Sequence, residues 1–189
     1  MKEAAIELFD QAIKTDPELP DAYIGRGLVL NRIEKYPEAL KDFDKAIELD
    51  DANLLAYNGR ANVKVRQNKY AEARVDFEKV MAQETANGEG VTGVGICLAV
   101  EGKFEEGVKL VEASRPKFQG NGLYLYNVAC VYGRAVEKLL KDDKLPDREK
   151  NLQTRLAPPA LQTRLAPPAL QTRPAPPALQ ALLPSAAPC

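Results

Sequence analysis

Aromatic and small apolar residues recur along this chain at a constant step of 34 residues. The recurring sets are Tyr23 and Tyr57; Tyr36, Tyr70 and Phe104; Ala5, Ala39 and Ala73; and Phe9, Phe43 and Phe77. A period of this length is typical of stacked helix–turn–helix units, in which each unit buries its apolar face against the next. Arrays of this kind bind other proteins more often than they catalyse reactions.

Within each period, the spacing of apolar residues predicts two amphipathic helices. Pro17 follows the first predicted helix and ends it, whereas Pro37 suits the first turn of the third. The predicted helices span residues 3–14, 21–34, 38–49, 55–67, 71–83, 90–101, 105–114 and 123–140. This order predicts an all-α fold of antiparallel helix pairs.

Small residues recur where the two helices of a unit are expected to meet. A small side chain lets two helices approach closely, and a larger one would push them apart. We expect Phe43 and Phe77 to fill the space between neighbouring pairs. The small residues are Gly27, Ala61, Gly95 and Ala129 in the first helices, and Ala39, Ala73 and Gly107 in the second helices.

Three runs carry a resemblance to a known family: residues 22–27 (AYIGRG), 36–47 (YPEALKDFDKAI) and 70–77 (YAEARVDF). They resemble the tetratricopeptide repeat, and residues 126–135 resemble late repeats of multi-repeat bacterial proteins, some of them attached to protein kinases. The resemblance implies an α-α superhelix, a solenoid of helix pairs. Its expected parts are a partial unit 1–19, units 20–53, 54–87 and 88–121, and a partial unit 122–145.

The first and fifth units depart from this pattern. The helix at 3–14 has no first helix before it, so Ile6, Phe9 and Ile13 are expected to be partly exposed. Three explanations stay open: a fragment, a wrongly assigned start, or a unit completed by another chain. After Leu140 nothing restores the spacing of a second helix, so the fifth helix is expected to form a solvent-facing cap.

Residues 146–189 form a proline-rich tail, in which the nonapeptide of residues 152–160 recurs at 161–169 and 170–178. Each Pro-Pro pair interrupts a helix, so we expect a disordered or polyproline-like segment. One interpretation is a proline-rich ligand or spacer. The other, which we favour, is a nucleotide duplication or frame shift with no selected role.

The amino-acid composition limits the kinds of function that this chain is expected to have. The formal net charge of −1 gives no reason to expect nucleic acid as a partner. The chain has no histidine, which removes the commonest acid–base group at neutral pH and the commonest metal ligand. We therefore expect a protein that is not an enzyme and holds no cofactor and no metal.

The sequence predicts a cytoplasmic location. Cys97, Cys130 and Cys189 show neither zinc-ligand nor redox spacing and favour a reduced compartment. The residues after Met1 do not form a signal peptide, and the longest apolar run, 94–100, is too short to span a bilayer. No membrane partner is expected.

Three features of the sequence resemble sites that carry chemistry. Residues 88–93 (GEGVTG) spell a dinucleotide-binding fingerprint, but a repeat helix rather than a strand precedes them, so we interpret them as an inter-unit turn. Cys97 and Cys130 are interpreted as small buried apolar residues. Acidic and basic residues such as Asp42 and Lys45 are interpreted as a solvated helix face.

A binding groove is implied by the family resemblance, since the first helices of the units line the concave wall in that family. The expected lining is Ile24, Leu28, Arg32, Asn58, Asn62, Arg66, Ile96, Tyr126 and Arg134, together with Asn31, Val65, Thr92, Val100 and Cys130. Asparagine side chains can bind a peptide backbone, and arginine can bind a carboxylate through two parallel hydrogen bonds. The alternative for the arginines is a favourable contact with a helix C-terminus.

The function expected is protein–protein interaction, with an extended peptide or a helix of a partner held in this groove. The clamp for chaperone C-termini known in one subfamily is absent, because Ile24 and Leu28 stand where its first lysine and asparagine belong. One alternative is a regulatory tetratricopeptide fragment of a larger signalling enzyme, such as a bacterial protein kinase. A weaker one is a nucleotide-binding enzyme that uses residues 88–93. The sequence names no partner and fixes no oligomeric state.

Overall fold

The computed structural model describes residues 2–83 and 88–141, and every regular element in these two stretches is helical. The predicted all-α class is therefore confirmed. The tail at 146–189 lies outside the described residues. The α-helices are α1 (Lys2–Thr15), α2 (Pro20–Arg32), α3 (Tyr36–Leu49), α4 (Leu54–Arg66), α5 (Tyr70–Gln83), α6 (Glu89–Val100), α7 (Phe104–Ser114) and α8 (Gly122–Lys141), with a 3-10 helix at Arg115–Phe118 after α7.

The described residues divide into two compact units, each larger than one 34-residue repeat: residues 2–83 form the first unit and residues 88–141 the second. In the first, α2 pairs with α3 and α4 with α5, while α1 packs against α2. In the second, α6 pairs with α7, and α8 packs against both. Because only a few residues join the helices of each pair, the helices run antiparallel.

The turn inside each pair has the same geometry at 34-residue steps. Glu34, Asn68 and Gly102 have φ angles of 63°, 60° and 89°, in the left-handed region that commonly follows a helix. The next residue donates its N–H to the preceding helix: Lys35 to Leu30 at 3.0 Å, Lys69 to Lys64 at 2.9 Å and Lys103 to Leu98 at 2.8 Å. The left-handed residue ends α2 at Arg32, two residues before the predicted end.

Phe43 lies at the centre of the first unit and has no exposed surface. A Cβ built on Gly27 would lie 3.1 Å from its ring, and one on Gly59 would overlap it. Phe9 occupies the equivalent place against Gly25. The predicted role of Phe43 between neighbouring pairs is therefore confirmed, and a side chain at position 59 would require its ring to move.

In the second unit, helices α6 and α7 approach each other closely. A Cβ on Gly107 would lie 2.6 Å from the carbonyl oxygen of Gly95, so these two helices nearly touch through their backbones. Tyr124 of α8 is fully buried, stacks on Phe118 at 4.8 Å between ring centroids and donates its hydroxyl to the carbonyl oxygen of Val111. The small residues predicted at 95 and 107 thus have a steric reason.

The expectation for Ala129 is wrong, because this residue is exposed rather than packed against a second helix. Helix α8 packs against α6 and α7. The opposite end of the pattern behaves as expected: α1 has no fully buried residue, and Ile6, Phe9 and Ile13 are half-buried. Each of these helices therefore lacks one neighbour within the described part of the chain.

Candidate functional site

Two arginines of the first unit lie 34 residues apart, and each is held by two aspartates at equivalent positions of the repeat. Arg26 donates from Nε and Nη2 to the two oxygens of Asp42, at 2.8 and 2.6 Å, and from Nη1 to Asp10 at 2.6 Å. In the next pair, Arg60 binds Asp76 at 3.0 and 2.6 Å and Asp44 at 2.7 Å. Two parallel hydrogen bonds fix the guanidinium plane, so both arginines are structural.

The prediction that Asp42 lies on a solvated face is therefore wrong. Asp42 is 5% exposed and Asp76 is 2% exposed, and each lies under its arginine. The hydrogen bonds to Asp42 raise the pKa of Arg26, and those to Asp76 raise the pKa of Arg60, so both guanidinium groups stay charged. The signal was present in the sequence, because arginine and both aspartates recur at the 34-residue step.

Arg32 and Arg66 differ from these two structural arginines. Both are exposed last residues of their helices, α2 and α4, and neither makes an ion pair within the described residues. One helical turn before them lie Leu28, which is 46% exposed, and Asn62, which is exposed. Because α2 and α4 contact each other, these four residues belong to neighbouring helices.

The remaining predicted residues of the first unit are less accessible. Ile24 is 5% exposed and belongs to the apolar core, and Asn31 is 9% exposed. Val65 and Asn58 are half-buried. The Asn62 side-chain nitrogen donates to the Asn58 carbonyl oxygen at 2.9 Å, which orients the Asn62 amide along the helix.

In the second unit the predicted lining residues lie on α6 and α8. Tyr126 is 60% exposed, whereas Ile96 and Val100 are half-buried. Arg134 pairs with Glu137 at 3.1 Å, and hydrogen bonds from Lys141 and Arg134 lower the pKa of Glu137. Thr92 and Cys130 are buried, with exposed fractions of 1% and 8%.

The glycine fingerprint at 88–93 forms the start of a packed helix. Gly88 has a φ angle of 74° and precedes α6, and a Cβ there would overlap Tyr124. The Thr92 hydroxyl donates to the Gly88 carbonyl oxygen at 2.9 Å. Since Gly88 and Thr92 are both buried, this helix start offers no open surface to a pyrophosphate. The geometry favours the packing interpretation.

Other chemical features of the described residues have structural explanations. Cys97 and Cys130 are buried, and neither is in a disulfide. Burial, followed by the charge of Glu112, raises the pKa of Tyr132, which donates to Glu112 at 3.0 Å. Across residues 2–83 and 88–141, no group of three or more acidic or cysteine side chains is placed to hold a metal ion. No helix there is long and apolar enough to cross a membrane.

Comparison with known proteins identifies one segment of the chain. Residues 20–53 match the family model described as "Tetratricopeptide repeat". Residues 20–53 therefore form a tetratricopeptide repeat. No curated protein sequence matches the chain. The matched segment contains α2 and α3 with the Arg26–Asp42 pair, and it spans the same residues as the predicted second unit.

Two solved structures share the fold of this chain. A structure described as "MamA RS-1 ArsTM double mutant" is 15% identical, with 87% of each chain covered and a TM-score of 0.61. A tetratricopeptide repeat protein from Parabacteroides merdae is 18% identical, with 86% of this chain and 64% of that chain covered and a TM-score of 0.57. YrrB, described as a TPR protein with an unusual peptide-binding site, is 25% identical over 85% of this chain and 98% of its own, with a TM-score of 0.43.

Proposed function

We propose that this tetratricopeptide-repeat protein is a non-enzymatic interaction module that holds an extended peptide with a free carboxylate. The fold is that of protein–protein interaction modules. The site we propose is the α2–α4 face, defined as Leu28, Arg32, Asn58, Asn62 and Arg66. These five predicted lining residues lie on α2 and α4, which contact each other, and none of them is buried in the core.

The contrast between two sets of arginines carries this proposal. On the same two helices, Arg26 and Arg60 are bound by carboxylates, whereas Arg32 and Arg66 are exposed and make no ion pair within the described residues. An exposed arginine can bind a carboxylate through two hydrogen bonds, and the hydrogen-bonded asparagine pair offers amide groups to a peptide backbone. Leu28 supplies an apolar contact beside them.

The position of both arginines at helix C-termini is also explained by the helix dipole. That interaction contributes about 0.3–1 kcal/mol and leaves the hydrogen-bonding groups of the guanidinium exposed. It therefore does not compete with ligand binding. The regulatory fragment of a protein kinase and the cytoplasmic location remain predictions.

A library of peptides with free C-termini, selected against the full chain, provides the test. The selected peptide is titrated by calorimetry into the wild type and into the triple variant Asn58→Ala, Asn62→Ala and Arg66→Ala. We expect the triple variant to raise Kd at least tenfold, which corresponds to about 1.4 kcal/mol. Amidation of the peptide C-terminus should weaken binding to the wild type to a similar extent.

The matched control is the triple variant Glu38→Ala, Lys41→Ala and Glu72→Ala, which removes three exposed polar side chains from α3 and α5. Its Kd should equal that of the wild type. If both triple variants bind the selected peptide equally well, the α2–α4 face is not the binding site. If no peptide is selected at micromolar affinity, the peptide-binding function itself is wrong.

A further inference from the structure

An exposed leucine lies on the same side of α4 as the polar residues of the α2–α4 face. Leu55 is 65% exposed and precedes Asn58, Asn62 and Arg66 by three, seven and eleven residues, a spacing that places all four on one side of the helix. The side chain of Asn53 caps α4 and accepts a hydrogen bond from the Leu55 N–H at 3.2 Å, which fixes the leucine in the first turn. A single exposed leucine is common on protein surfaces, so its position relative to other groups decides its meaning.

Helix α2 contributes a second exposed leucine, nearer to the arginines. Leu28 is 46% exposed and precedes Arg32 by four residues, or one helical turn. Helix α3 packs against both α2 and α4 and is joined to each by a short connection, so it runs antiparallel to both. Helices α2 and α4 are therefore parallel, and Arg32 and Arg66 lie at the same end of the face.

The two ends of the α2–α4 face differ in charge. Arg32 and Arg66 are exposed at the end where both helices finish. At the end where they begin, Asp21 of α2 holds the repeat position of Leu55, and Asp51 lies just before α4; both aspartates are exposed. A carboxylate is attracted to the first end and repelled from the second, so the charges favour one direction for a peptide with a free C-terminus.

The heights of the two leucines correspond to positions along an extended peptide. With a rise of 1.5 Å per residue, Leu28 lies about 6 Å from the arginine end and Leu55 about 16 Å from it. An extended chain advances about 3.3 Å per residue, so these distances equal about two and five peptide residues. Successive side chains of an extended chain point to opposite sides. Residues two and five places before the terminus therefore point to different helices, as the two leucines require.

We propose that the α2–α4 face, extended by Leu55, selects peptides by the distance of apolar side chains from the C-terminus. The terminal carboxylate lies between Arg32 and Arg66. An apolar side chain two residues before the terminal residue contacts Leu28, and a second one five residues before it contacts Leu55. This inference rests on the proposed peptide-binding function, to which it adds the direction of the peptide, parallel to α4, and its sequence class.

A random decapeptide library with acetylated N-termini and free C-termini, selected against the full chain, tests the proposal. Leucine, isoleucine or phenylalanine should be enriched two and five residues before the terminal residue. One selected peptide is then synthesised with alanine at the fifth position before the terminus and titrated by calorimetry. Its Kd should rise at least fivefold, because an apolar contact is lost. Moving the apolar residue from the fifth to the fourth position should weaken binding equally, since the side chain then points to the other helix.

The variant Leu55→Ser identifies the protein side of this contact. It should raise the Kd of the selected peptide at least fivefold and bind the alanine peptide no more weakly than the selected one, because the two changes remove the same contact. Leu123→Ser is the matched control. Leu123 lies two 34-residue steps beyond Leu55, is also the second residue of its helix and is 50% exposed. This variant should bind both peptides as the wild type does.

The outcomes separate this inference from the proposed function. If amidation of the C-terminus weakens binding but Leu55→Ser does not, the carboxylate site stands and the contact with Leu55 is wrong. Apolar residues enriched at no fixed distance from the terminus would also overturn the inference, as would an equal loss of affinity in Leu123→Ser. If the library yields no binding peptide, the peptide-binding function and this inference are both wrong.

Discussion

Residues 2–83 and 88–141 repeat the same helix pair at the same step but stabilise it with different chemistry. In the first stretch each pair is joined by a buried aspartate that binds an arginine through two hydrogen bonds. In the second, Val94 and Leu110 hold the corresponding positions, and α6 and α7 approach until their backbones nearly touch at Gly95 and Gly107.

This difference between the two stretches shows which residues of the 34-residue repeat the fold requires. A buried ion pair often adds little net stability relative to apolar residues of similar volume, because removing two charges from water offsets their attraction. Small residues at the helix contact and the left-handed turn residue are present in both stretches. Geometry is therefore set by small residues and turns, and the Arg–Asp pair is one of two ways to fill the space beside them.

The largest expected effect is at the buried aromatic residue of the first stretch. Phe43→Ala should lower the free energy of unfolding by about 3–5 kcal/mol, because Gly27 and Gly59 cannot fill the cavity. Val111→Ala, one step beyond Phe77, should cost roughly 2 kcal/mol because fewer buried atoms are lost. Urea denaturation followed by circular dichroism measures both. Equal losses would mean that the two stretches do not differ in how their cores are filled.

The Arg–Asp pair gives the next largest effect. Asp42→Ala should cost about 2–3 kcal/mol, since it leaves Arg26, whose side chain is 23% exposed, with only its exposed partner Asp10. The double variant Arg26→Val and Asp42→Leu copies the second stretch and should lie within about 1 kcal/mol of the wild type. A double variant less stable than Asp42→Ala would show that the ion pair cannot be exchanged for apolar residues here.

The turns should give the smallest effect, with opposite signs in the two stretches. Gly102→Ala should cost about 1 kcal/mol, because a φ angle of 89° strains a residue with a Cβ although no neighbouring atom would clash. Glu34→Gly should raise stability by up to about 1 kcal/mol by removing the same strain at 63°. Thermal melts measure both changes, and a stabilising Gly102→Ala would show that the turn is not strained.

Much of the fold could be predicted because it depends on spacing. The helices at 38–49, 71–83 and 105–114 were predicted to within two residues, since apolar periodicity and turn residues are local properties. The candidate site was predicted less well. Ile24, Asn31 and Thr92 occupy positions that line a groove in the family, yet they are buried, because exposure depends on neighbouring side chains that a single position does not reveal.

The sequence by itself determined the helix pairs, their 34-residue register and the small residues at their contacts, because each of these is encoded by residues close together along the chain. Only the tertiary structure decided which arginines are bound by carboxylates and which remain exposed, because Arg26 and Arg32 differ only in what the adjacent helices place beside them. It also decided that Ala129 and Leu8 are uncovered. Burial is a property of the packed helices together, so no single repeat contains that information.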